Sequence, residues 1–158
     1  MKLKKKVNIF SNTSVANPKN AARILFLCIC LSAANLGAQR IPGQSYFSAN
    51  NYIEYIAGDL PIILVAPHGG ALKPDSIPTI HSRGNDRGSR ETTESLYDSL
   101  SVQAGGCKPH VIINHIHTSK LNMARSKDSA GTNAQALIAW DTFHAFIEEA
   151  KAKITQDW

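Results

Sequence analysis

Three small groups of residues could do chemistry in this chain. His68 stands directly after the apolar run 62–66 and Pro67, and is followed by Gly69 and Gly70. A histidine at the C-terminal edge of a strand is where open α/β sheets place their chemistry. The same residue could equally be a turn histidine that caps a neighbour. His115 and His117, two residues apart, face one side of a strand. That spacing suits a metal pair, and it suits two half-exposed strand residues as well. Between these groups, residues 71–88 carry His81, Arg83, Asp86 and Arg87, and lead to Glu91 and Glu94. Acidic side chains in the first turn of a helix are favoured by the helix dipole alone.

The elements that must position these residues follow from periodicity. Residues 62–66 have the length and β-branched content of a buried strand, and Pro67 ends its pairing. Residues 52–56 alternate weakly and are followed by Gly58-Asp59, which predicts a short strand hairpinned to 62–66. An irregular stretch as long as 71–88 is usually functional or mobile. Ser89 is a candidate N-cap for a helix that carries Thr93, Leu96 and Leu100 on one face and ends at Gly105-Gly106. Residues 109–117 read as a second buried strand. Residues 132–154 read as one amphipathic helix, with Ala136, Leu137, Trp140, Phe143 or His144, and Ile147 recurring at 3–4 residue steps. His144, lying among these core positions, reads as structural. The order β-β-loop-α-β-loop-α predicts an α/β fold with a mainly parallel sheet flanked by helices.

The first 38 residues read as a signal peptide. Lys2, Lys4, Lys5, Lys6, Lys19 and Arg23 form a basic region ahead of the apolar run 24–34, and Leu36-Gly37-Ala38 offers small residues for cleavage. Eleven apolar residues are short for a bilayer span, so export to the periplasm or exterior is expected, with an uncleaved anchor as the alternative. Residues 39–51, polar and rich in Gly, Ser and Asn, read as a mobile lead-in, and 52–158 as the domain. Six of the 17 Lys and Arg residues precede residue 24, leaving 11 basic against 12 acidic residues. The basic balance therefore belongs to the leader and gives no support for nucleic-acid binding. After cleavage only Cys107 remains, which excludes an internal disulfide, and no stable membrane span remains.

Three blocks together resemble the N-formylglutamate amidohydrolase family. They are Val65-Ala-Pro-His-Gly-Gly70, the stretch Asn85-Asp-Arg-Gly-Ser-Arg-Glu-Thr-Thr-Glu-Ser-Leu-Tyr97, and Pro109-His-Val-Ile-Ile-Asn-His-Ile-His-Thr-Ser-Lys-Leu-Asn-Met-Ala-Arg125. They stand in the family's order and spacing and place the resemblance over residues 52–125. It implies a phosphorylase/hydrolase-like fold related to the zinc carboxypeptidases. The implied activity is zinc-dependent hydrolysis of a linear amide, releasing formate from N-formylglutamate, or the acyl group from another N-acyl amino acid.

Such a reaction needs an activated water and a stabilised oxyanion, which zinc supplies when three protein ligands leave one position open. The resemblance makes His68 the first ligand and Asp86 or Glu91 the carboxylate. Glu91 is favoured because a helix start holds its side chain more rigidly than a loop does. Arg90 and Arg125 are the expected forks for a substrate carboxylate, with Gly69 and Asn114 as further substrate contacts. The family's third block resembles His-Arg-x-Lys-Leu-Asp-x-Asn-Arg. Here Thr118, Asn122 and Ala124 replace the Arg, Asp and Asn, while Arg125 is kept. Nothing after Trp140 resembles the family's later Asp-x-His-Gly, so the chain reads as the N-terminal portion of such a protein, with the sheet incomplete at its C-terminus and the general base unassigned. A non-catalytic module that binds the same class of small acylated carboxylate is the alternative.

Overall fold

The computed structural model describes residues 39–82, 84–86 and 88–158. The leader read from the sequence, together with Arg83 and Arg87, lies outside the described residues. The elements, in chain order, are β1 (Ser45–Phe47), β2 (Ile53–Ile56), β3 (Ile63–Ala66), α1 (Gly88–Gln103), β4 (His110–Asn114), α2 (Lys127–Ala130) and α3 (Ala134–Asp157).

The four strands form one mixed sheet in the order β1-β2-β4-β3, flanked by helices. Only β3 and β4 run parallel, with Ala66 opposite Ile113 and α1 as the crossover between them. The pairs β1/β2 and β2/β4 are antiparallel. The expected mainly parallel sheet is therefore corrected. A βαβ crossover dictates one parallel pair, but says nothing about how strands before it insert.

The expected hairpin between residues 52–56 and 62–66 is likewise absent, because β4 lies between them. The connector after β2 is tied to the start of β4 instead of folding back. Asp59 N and Leu60 N both donate to Lys108 O, at 2.9 Å. Gly58 lies so close to the backbone of Pro109 and His110 that a Cβ there would come within 2.5 Å. The hairpin partner of β2 is β1, from the segment read as a lead-in. In their turn Asn51 takes φ 55, and Ser48 Oγ accepts from Tyr52 N and Ile53 N.

β4 is buried along its whole length, as a central strand should be. β3 is an edge strand instead of the expected buried one, with Val65 42% exposed. Strand alternation gives the sheet two different faces. On one, Ile53, Tyr55, Ala57 and Ile112 pack with Ala136, Ala139, Phe143 and Ala150 of α3 in the larger core. Each large apolar side chain buried there contributes about 1.5–3 kcal/mol. On the other, Ala66, Val111 and Ile113 pack with Ile56, Leu64 and Tyr97, the last from α1.

Both long helices have local causes. Asn133 caps α3, its side chain accepting from Ala136 N at 2.9 Å. Past the end of α1, Gly105 and Gly106 take φ 67 and 104, and Gly106 N returns to Ser101 O at 2.9 Å. The buried side of α1 runs through Thr93 and Ser101, with Tyr97 packed beside them, so Leu96, expected on that side, is 45% exposed. Among the described residues no helix is long and apolar enough to cross a membrane.

Candidate functional site

The face of the sheet under α1 changes character along its strands. Ile56, Val111, Ile113, Leu64 and Ala66 make it apolar, and the next positions in alternation on β2, β4 and β3 are Glu54, His115 and His68. The polar residues thus collect at the C-terminal ends of the parallel pair, beside the first turn of α1.

His68 is held from both sides of its ring. Nε2 is 3.1 Å from Asn122 Oδ1, and Nδ1 is 3.9 Å from Asp86 Oδ2. Asn122 Oδ1 also accepts the Ala124 N–H at 3.1 Å, which fixes it as an acceptor. His68 Nε2 therefore donates to Asn122, and Nδ1 faces the Asp86 carboxylate. Two donors on one tetrahedral zinc ion at about 2.0–2.2 Å stand roughly 3.3–3.6 Å apart, so this pair would have to close by a few tenths of an ångström to hold one. Among the described residues no group of three His, Cys, Asp or Glu side chains could hold a metal. Of the two carboxylates expected near His68, Asp86 lies beside it. Glu91 is exposed, and its side chain makes no hydrogen bond or ion pair with the described residues.

The two glycines after His68 serve the backbone. Gly69 takes φ 95. At Gly70 a Cβ would lie 2.2 Å from the His115 carbonyl carbon, so only glycine fits where the two chains pass. Beyond this crossing Leu72 N donates to His115 O and His117 N to Leu72 O, extending the parallel pairing past both strands.

A second group is built around His115. Its Nε2 is 2.9 Å from Glu54 Oε2, and its Nδ1 is 3.2 Å from Arg90 Nη1. Arginine can only donate, so Nδ1 is the acceptor, and the neutral ring donates from Nε2 to Glu54. Glu54 also accepts from Ser45 Oγ at 2.6 Å. The His115 bond holds the Glu54 carboxyl below its ordinary value against the opposing effect of burial, with Ser45 and the Arg90 charge acting the same way. Arg90 Nε donates to Glu94 Oε1 at 2.7 Å, and the guanidinium keeps a terminal nitrogen without a bond to the described residues.

The remaining expected site residues lie elsewhere or are already engaged. Asn114 is fully buried; its amide nitrogen donates to Pro67 O and Ile116 O, and its oxygen accepts from Ile116 N. It works as a brace between β3 and β4. Arg125 is exposed, and its carbonyl accepts from Trp140 Nε1 at 3.0 Å. His117 shares its Nδ1 with the Ser119 hydroxyl and N–H, so it does not act as a twin of His115. His110 is buried against Tyr55, at 2.8 Å from the phenol oxygen. His144 packs against Trp140, with ring centroids 3.8 Å apart.

The long stretch 71–88 is docked onto the body. Asn85 donates to Gly70 O at 2.6 Å and accepts from Thr118 Oγ1 at 2.8 Å, while Lys120 Nζ donates to Ile77 O. Ile77 is itself fully buried. Sequence reasoning missed Glu54, whose signal was a carboxylate in the middle of the strand Ile53–Ile56. It also missed the positive role of Asn122, noticed only as a departure from a motif.

Compared with protein-family models, with curated proteins and with solved structures, the chain matches none.

Proposed function

We propose that this domain is an exported, metal-assisted amidohydrolase of N-formyl or N-acyl amino acids, in which His68 Nδ1 and Asp86 hold a zinc ion and Arg90 takes a substrate carboxylate. The observation that carries the proposal is the His68 ring itself. Asn122 Oδ1 engages Nε2, so Nδ1 faces a carboxylate at 3.9 Å, and Arg90 keeps a guanidinium nitrogen without a bond to the described residues. When bound, the ion supplies the Lewis acidity that lowers the pKa of a water and polarises an amide carbonyl. The chain's own residues do the remainder. Asn122 orients His68 as second partners of metal-bound histidines commonly do, and Asn85 and Thr118 keep the Asp86 loop against the strand ends. Arg90, rooted in the first turn of α1, offers a carboxylate both charge and directed hydrogen bonds.

The test is release of formate from N-formyl-L-glutamate by the purified protein with added zinc. Activity lost in His68→Ala and on chelation supports the proposal; a rate unchanged in His68→Ala contradicts it. A second reading, a module that binds the acylated carboxylate without hydrolysing it, is favoured by the two-donor set and by Thr118 and Asn122 standing where the family pattern has Arg and Asp. Binding of N-formyl-L-glutamate without formate release at any zinc concentration would select that reading.

A further inference from the structure

We infer that His115 and Glu54 are positioning residues for Arg90, forming a buried strut that sets the guanidinium to receive a carboxylate. The inference rests on the carboxylate-binding reading of Arg90 proposed above. It deepens that reading by naming the residues that fix the arginine.

A long arginine side chain left to itself loses considerable rotamer freedom on gripping a ligand, and a guanidinium held beforehand loses less. Here the holding runs inward through four groups. Arg90 Nη1 donates to His115 Nδ1, His115 Nε2 donates to Glu54 Oε2, and Ser45 Oγ donates to Glu54 Oε1. The Glu54 and His115 side chains are only 12% and 16% exposed, while Arg90 is 35% exposed. The strut is therefore anchored in the sheet and open at its tip. Its base is rigid because Glu54 lies opposite Ile113, and Tyr52 O accepts the His115 backbone N–H at 2.8 Å.

The second hold on Arg90, Glu94, comes from the next turn of the same helix. It fixes Nε, and the strut fixes Nη1. Two of the three guanidinium nitrogens are thus fixed from different directions, which orients the plane of the group and leaves Nη2 for a ligand. A lone surface ion pair with Glu94 would not do this, since exposed i,i+4 pairs hold their partners weakly. A buried carboxylate in mid-strand with a histidine between it and an arginine also needs a reason to persist, because burying a charge is costly unless it is fully paired. Positioning the arginine supplies that reason.

The test compares binding of N-formyl-L-glutamate and its uncharged diamide by calorimetry. Wild-type protein should favour the diacid, and Arg90→Ala should remove that preference, a loss of about 10-fold or more for a charged hydrogen-bonded contact. His115→Phe and Glu54→Gln should each lose most of the preference while leaving diamide binding unchanged, and His115→Gln, which can both accept and donate, should restore part of it. Loss of the preference in Arg90→Ala but not in His115→Phe or Glu54→Gln overturns the strut and leaves the carboxylate reading standing. No preference in wild type, or none lost in Arg90→Ala, overturns both. Nitrogen-15 NMR of the ligand-free protein gives a readout independent of any ligand. His115 should carry its proton on Nε2, with slow rotation of the Arg90 guanidinium that becomes fast in Glu54→Gln; a proton on Nδ1, or fast rotation in wild type, overturns the inference.

Discussion

The two faces of one four-stranded sheet are built to different ends. Under α3 the alternating positions of β2 and β4 stay committed to packing: Ile53, Tyr55 and Ile112 are all at most 1% exposed, and His110 is bonded to Tyr55 and to the Gly58 N–H. Under α1 the same strands carry an apolar cluster only part of the way and then present Glu54, His115 and His68. One face fixes the fold and lets the other carry groups that add little to stability. The lesson is positional: a one-residue register change would exchange the two sets, so the sheet's pairing is itself what places the chemistry.

The comparison breaks most easily on the α3 face. Ile112→Ala should cost about 2–5 kcal/mol in denaturant unfolding, as loss of a fully buried aliphatic side chain does, whereas His68→Ala should cost little and act on ligand binding. Equal losses for the two would erase the distinction. Gly70→Ala tests the seam between the two parallel chains. Its Cβ meets the His115 backbone, which cannot give as a flexible side chain could, so about 2 kcal/mol or more should be lost and the His115–Glu54 bond disturbed with it.

Arg40 sharpens the α3 side. Its guanidinium lies 4.4 Å from the Tyr46 ring centroid, 5.1 Å from Tyr55 and 5.3 Å from Phe146, and it pairs with both carboxylate oxygens of Glu149. Arg40→Ala should cost about 1–2 kcal/mol, with Arg40→Lys recovering only part because an ammonium lacks the planar fork. A smaller effect separates the faces by pH. Burial lowers the His110 pKa from its ordinary 6.5, so the unfolded chain takes up the proton more readily. The stability tied to neutral His110 is therefore present above pH 6.5 and is lost as pH falls through the lower folded value. Glu54 follows the same sign at lower pH, its contribution being present above 4.5 and lost as pH falls through its depressed value. Unfolding curves measured from neutral pH downward should show the first loss disappear in His110→Gln and the second in Glu54→Gln.

Much of the element order was legible because it rests on local signals. The apolar runs, the Gly105-Gly106 stop and the 3–4 residue spacing along α3 each predict an element at its observed place. The pairing was not legible, since it depends on contacts between distant segments. Gly58-Asp59 looks like a hairpin turn until Lys108 is known to hold it, and β1 hides in a polar segment that alternates too briefly to stand out. The site divides in the same way. His68, Asp86 and Arg90 could be picked out by residue type and motif. Glu54 could not, because a glutamate in an alternating strand reads as solvent-facing until a helix is known to cover that face. Asn114 and Gly69 look like ligand contacts in a motif, yet Asn114 is spent on bracing the strands and Gly69 on a left-handed turn.

Zinc titration of the purified protein by calorimetry, with His68→Ala, Asp86→Asn and Glu91→Gln alongside, tests the central claim most directly. The account predicts one zinc site per chain, lost in His68→Ala, weakened about 10-fold or more in Asp86→Asn and unchanged in Glu91→Gln. Zinc binding undiminished in both His68→Ala and Asp86→Asn would contradict it.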